Sequence, residues 1–194
     1  MNKWILIPFI FRLVLRGDLR GAQAQSGDAT TQEQQITAQK RKAASGDVKS
    51  QVTLGIAYAS GDGVQADETE AVKWFRKAAE QGDADGEYVL GEMYATGRGV
   101  AVDYAEALRW LRKAAEQGDP RGEFDLAAMY TEGKGVPKDK DEAAKWIRKA
   151  AEQGFAAGQF GLGMIMPMET VFRGMRRKPS SSIGRQWIRV TRRP

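Results

Sequence analysis

The apolar positions of this chain recur at two nested periods. Within residues 103–117, Ala107, Trp110, Leu111 and Ala114 follow the i, i+3, i+4, i+7 spacing of a single helix face. The whole pattern then returns every 36 residues. Leu54, Leu90, Leu126 and Leu162 share one register, Tyr58, Tyr94 and Tyr130 a second, and Trp74, Trp110 and Trp146 a third. Gly46, Gly82, Gly118 and Gly154 open successive copies. A fixed period of this size is the signature of a solenoid, in which each unit buries its apolar face against its neighbours.

Each copy reads as two antiparallel helices. Asp83 follows a glycine and suits an N-cap, because its carboxylate can accept from unpaired amides of the first turn. Gly97-Arg98-Gly99 ends that first helix, as Gly61-Asp62-Gly63 and Gly133-Lys134-Gly135 do in the flanking copies. Asp103 opens the second helix and Gly118 closes it. The pattern predicts helix pairs near 48–60 and 67–81, 84–96 and 103–117, and 120–132 and 139–153, each burying its Tyr and Trp. The small residues Gly91 and Ala107 would let paired helices approach closely. Glu70/Lys73, Glu106/Arg109 and Glu142/Lys145 sit three apart, as on exposed helix faces.

Leu-Gly-x-x-Tyr, the Gly-x-Gly-Val turn, and then Asp, Ala, Trp and Lys-Ala-Ala-x-Gln-Gly at this spacing resemble the Sel1-like repeat, a relative of the tetratricopeptide repeat. The resemblance covers three full copies, 46–81, 82–117 and 118–153, and a partial fourth, 154–165. Ala127 departs from it where other copies have Gly55, Gly91 and Gly163, an added methyl at a close helix contact. The family implies an all-α, right-handed α/α superhelical solenoid that binds other proteins, often in bacterial signalling or envelope settings.

Charge is unevenly spread. The chain carries +5 overall, with +7 in residues 166–194 and +3 in residues 1–24, which leaves −5 for residues 25–165. The basic pI of about 9.4 therefore says little about the repeats' partner, and nucleic acid is not expected. Residues 1–24 resemble a signal peptide. Lys3 precedes an apolar run from Trp4 to Phe11, and Ala22-Gln23-Ala24 gives a small-x-small cleavage pattern. Arg12 and Arg16 interrupt the run, so an uncleaved, cytoplasmic chain is the alternative to a periplasmic or secreted one. No integral membrane span is expected, since a span needs about 20 mostly apolar residues.

Residues 25–31 read as a polar linker, and residues 32–45 as a degenerate capping helix with Gln39 in the Trp position. After Ile165 the period stops. If the coding sequence lost one T after the Ile165 codon, suitable codons in the restored frame read YAYGNGVPRDEAEAVEQYRKAVDQGDAA. That frame recovers the Tyr, both turn glycines, Val, Arg-Lys-Ala and Gln-Gly in register, though not the Trp. Residues 166–194 are accordingly expected to be a frameshifted, disordered basic tail whose charge was never selected for binding.

With no His and no Cys, Ser-His-Asp triads, thiol nucleophiles, disulfides and Cys/His zinc sites are impossible. The glycine turns lack the spacing of a phosphate loop, and Asp62 lacks the companions of a calcium loop. No catalytic, cofactor or metal residue is assigned, and the chain is not expected to be an enzyme.

In the related tetratricopeptide geometry, first helices line the concave surface. Lys49, Val52 and Ile56, then Asp85, Tyr88 and Glu92, then Arg121, Phe124 and Phe160 are the candidate partner-binding residues. Val52, Tyr88, Phe124 and Phe160 either form an apolar stripe for a peptide or pack against the neighbouring repeat. Two functions follow: a non-catalytic scaffold holding a protein or peptide ligand in the envelope, or a cell-wall polysaccharide-binding protein or hydrolase using groove carboxylates. The sequence specifies no oligomeric state.

Overall fold

The computed structural model describes residues 34–165. The leader-like segment, the linker, the first two residues of the capping helix and the basic tail lie outside them. Among the described residues there are eight helices and no strand. Helix α1 covers residues 34–44. The others are α2 (Val48–Ser60), α3 (Glu68–Glu80), α4 (Ala84–Thr96), α5 (Tyr104–Glu116), α6 (Pro120–Glu132), α7 (Lys140–Glu152) and α8 (Ala156–Ile165).

The boundaries follow from local chemistry. Asp47, Asp83 and Asp119 cap the first helices, and Asp67, Asp103 and Asp139 cap the second, each carboxylate accepting from first-turn amides. Such a cap stabilises a helix by about 1 kcal/mol. The second helices are one residue shorter at each end than the sequence predicts, because those aspartates and Gln81, Gln117 and Gln153 are caps.

At the end of α4, Gly97 turns left-handed at φ 78° and donates its N–H to the Met93 carbonyl at 2.9 Å. Gly99 has a second reason to be glycine. A Cβ there would lie 2.2 Å from the Glu68 carbonyl oxygen of the preceding pair. Gly135 meets the Tyr104 carbonyl in the same way, so the turns of the second and third pairs are pressed against the start of the previous second helix.

Helices pack most closely within pairs, α2 on α3, α4 on α5 and α6 on α7, and each second helix also packs on the next first helix. The intrapair contact is a knob in a notch. A Cβ on Gly55 would sit 2.9 Å from the Phe75 ring, and one on Gly91 would sit 2.8 Å from Leu111. In the third pair Ala127 faces Ile147. The extra methyl there accompanies a knob smaller than Phe75. Burying a side chain of this size contributes about 1.5–3 kcal/mol.

A polar ladder repeats beside this core. Gln117 donates to Glu87 at 2.6 Å, Gln153 to Glu123 at 2.9 Å, and Gln81 to Gln51 at 2.7 Å. Burial pushes the Glu87 and Glu123 carboxyls up, and the glutamine bonds offset part of that. Between pairs, Arg76 reaches the Tyr94 hydroxyl and Arg112 the Tyr130 hydroxyl, the latter at 2.7 Å.

One expectation is corrected. Tyr94 and Trp110 are buried, whereas Tyr58, Tyr130, Trp74 and Trp146 are only half-buried. The middle pair alone is flanked by a complete helix pair on each side. The predicted exposed pairs do form, with Arg109–Glu106 at 2.7 Å and Lys73 and Lys145 on Glu70 and Glu142.

Candidate functional site

Successive first helices touch one another directly. Arg121 on α6 pairs with Asp85 on α4, and its guanidinium lies 4.5 Å over the Tyr88 ring. Phe124 on α6 reaches α8, its ring 3.5 Å from where a Gly161 Cβ would stand. The surface shared by α2, α4, α6 and α8 is the candidate binding face.

Its centre is better organised than its ends. Arg121 is clamped by Asp119, at 2.5 Å, as well as by Asp85. Burial alone would raise the Asp119 carboxyl, but the Arg121 bonds and the Gly122 amide hold it below the usual range. Arg121 itself is held firmly protonated by the same bonds. Tyr88 is half-buried and bonds Asp125; burial and that neighbouring carboxylate push the phenol up to about 12. Burial pushes Asp125 up to about 6, with the Glu92 charge adding to it. The centre therefore joins aromatic surface to negative charge at Glu92 and Asp125, while its cation is already paired.

The structure brings Asp85, Tyr88, Glu92 and Arg121 together. The other predicted residues divide. Val52 and Tyr88 pack partly against the central core cluster. Phe124 is half-buried and meets Phe155 edge-on at 5.8 Å. Phe160 is 72% exposed and Ile56 54%, and Lys49 is exposed as well. Asp119 and Asp125 were not read from the sequence as part of this face. Asp119 could have been, because its cap position two residues before Arg121 puts it within reach. Asp125 carries no signal: its counterparts are Thr53, Val89 and Gly161.

Among the described residues no three acidic side chains lie close enough to hold a metal ion, and no helix is long and apolar enough to cross a membrane.

Comparison with known proteins agrees with this architecture. The Sel1 repeat matches residues 48–83, 84–119 and 120–155. A protective antigen of uropathogenic Escherichia coli strains with an SLR fold is 49% identical, at a TM-score of 0.62, over 64% of this chain and 27% of its own. A Sel1 repeat protein from Oxalobacter formigenes is 39% identical, at a TM-score of 0.65, over 67% of this chain and 54% of its own. Cysteine-rich protein B of Helicobacter pylori shares the fold at 22% identity and a TM-score of 0.53, over 67% of this chain and 93% of its own. This chain thus spans about a quarter and about half of the first two structures. No curated protein matches. With three tandem matches covering more than half its length, the chain belongs to the Sel1 repeat family.

Proposed function

We propose that the chain is a non-catalytic scaffold that holds a protein or peptide segment along its first-helix face, in the bacterial envelope. Sel1 solenoids commonly mediate protein–protein interaction and are generally non-catalytic, which supports the class. The leader-like residues 1–24 support the compartment, with residues 25–31 as linker and residues 32–45 as cap ahead of the repeats. The observation that carries the reading is the central patch of Tyr88, Glu92 and Asp125 beside the paired Arg121. Its aromatic surface and surplus negative charge complement a segment that presents an apolar side chain next to a lysine or arginine. Exposed Ile56 and Phe160 extend the face to either side.

The test immobilises the chain and exposes it to envelope proteins and, separately, to a panel of cell-wall glycans. Polypeptide retained by the parent and lost from Glu92→Lys and Ile56→Glu supports the reading. Retention of glycan alone, weakened by the same substitutions, would replace it with the wall-polymer function.

A further inference from the structure

One position of the first helices is buried in all three full pairs and is polar each time: Gln51, Glu87 and Glu123, at 3%, 2% and 3% exposure. In the first pair its side chain bridges two neighbours. Gln51 donates Nε2 to the Ala43 carbonyl of α1 at 3.1 Å, and its Oε1 accepts from Gln81 Nε2 at 2.7 Å. One end donates and the other accepts. The next two pairs keep the accepting end, since Glu87 and Glu123 take the Nε2 of Gln117 and Gln153 on a single oxygen, Oε2. The donating end has no counterpart in an ionised carboxylate, which can only accept.

The matching carbonyls are in place. Ala79 and Ala115 stand one and two repeats after Ala43, and all three accept the N–H of the glycine three residues on, Gly46, Gly82 or Gly118. At Ala43 the same carbonyl takes the Gln51 donor as well. The helices approach closely here: a Cβ on Gly86 would stand 2.9 Å from the Ala79 nitrogen, and one on Gly122 3.1 Å from the Ala115 nitrogen. We propose that Glu87 and Glu123 are carried as neutral carboxylic acids, each donating its O–H to the Ala79 or Ala115 carbonyl as Gln51 donates to Ala43. Folding then takes up a proton at each of these joints, and the seams on either side of the α4–α5 pair hold more tightly in acid. Being buried, the joints are separate from the patch of Tyr88, Glu92 and Asp125 and do not depend on it.

The surroundings favour the proton. Burial pushes both carboxyls up, while the glutamine bonds, and Lys113 or Lys149, act against it. Asp83 and Glu116 around Glu87 add to the rise, as Asp119 and Glu152 do around Glu123. At the ends of α3 and α5, Lys77, Glu80, Lys113 and Glu116 are exposed. A carboxyl raised above its ordinary 4.5 contributes stability that is full below about pH 4.5 and lost as pH rises through the folded value.

The test uses the full chain, its Glu87→Gln and Glu123→Gln variants, and the double variant. In carbon NMR each single variant identifies the carboxyl carbon it removes, and in the parent both carbons should titrate above 4.5. Glutamine keeps both the donor and the acceptor at any pH. The melting temperature of the double variant relative to the parent should therefore climb as pH rises from about 4.5, and level off once both carboxyls have ionised. Carboxyl carbons that titrate at or below 4.5 overturn the proposal. So does a relative melting temperature that stays flat or falls as pH rises, because the joints then hold ionised carboxylates.

Discussion

Gly91 and Gly163 stand at the same point of the repeat, one on α4 and one on α8, and their surroundings are opposite. A Cβ at Gly91 would overlap Leu111 of α5, whereas one at Gly163 would meet no atom within 4 Å among the described residues. The leucine preceding each is buried, Leu90 at 0% and Leu162 at 8% exposure. The start of the two helices differs as well. Asp83 caps α4, while the matching position before α8 is Phe155, which instead packs edge-on against Phe124. In a solenoid, the same residues are core in the interior and surface at an edge, because each unit is stabilised only by its neighbours.

The largest effect should come from the interior. Trp110, 2% exposed, should cost about 3–5 kcal/mol on replacement by alanine, read from urea unfolding. Phe160→Ala at the edge should stay within about 0.5 kcal/mol in the same experiment. Equal losses at the two positions would erase the contrast.

Next is the effect of completing the edge. A chain in which residues 166–194 are replaced by the restored-frame repeat should melt several degrees higher, since about 1 kcal/mol is worth roughly 2–4 °C in a domain of this size. If deleting residues 166–194 lowers the melting temperature instead, the frameshift reading fails.

A smaller change is expected at Phe155. Phe155→Asp supplies the missing cap, worth about 1 kcal/mol, and removes the contact with Phe124, worth about 0.5–1.5 kcal/mol. The net change in urea midpoint should therefore be slight. The same change combined with Phe124→Leu should be more favourable than Phe155→Asp alone, because the ring contact is then already gone.

The last effect is electrostatic and shows only as a dependence on pH. Asp125 has its pKa raised to about 6 in the folded chain from an ordinary 3.8. A carboxyl raised in this way contributes stability that is full below about pH 3.8 and lost as pH rises through about 6. Asp125→Asn should remove that component, so the difference in melting temperature between parent and variant should change across this window and level off above it. A carboxyl carbon titrating near 4 at Asp125 would contradict the burial assigned to it.

Nearly all of the helix architecture was legible because it repeats. Aspartate before and glycine after the helices of the three full pairs set their boundaries to within one residue, and the glycine turns fell where the chain reverses. The glutamine ladder was present in the letters as residues 30 apart, such as Glu87 and Gln117, but no rule of helix periodicity links positions on two different helices. The binding face was legible only in outline. The pattern placed Tyr88 and Phe124 on one stripe, but packing decided that Phe124 leans on Phe155 while Phe160 stays exposed. Asp125 escaped because it breaks the repeat instead of following it.

The most direct test of the first-helix face is a photo-cross-linking scan in envelope extract. A photoreactive residue replaces Ile56, Glu92 or Phe160 on first helices, and Lys73 or Lys145 on second helices, where both lysine side chains are well exposed. The account predicts that one polypeptide is captured from the first three positions and from neither lysine position. Capture of that polypeptide from Lys73 and Lys145, with none from Ile56, Glu92 or Phe160, would contradict it.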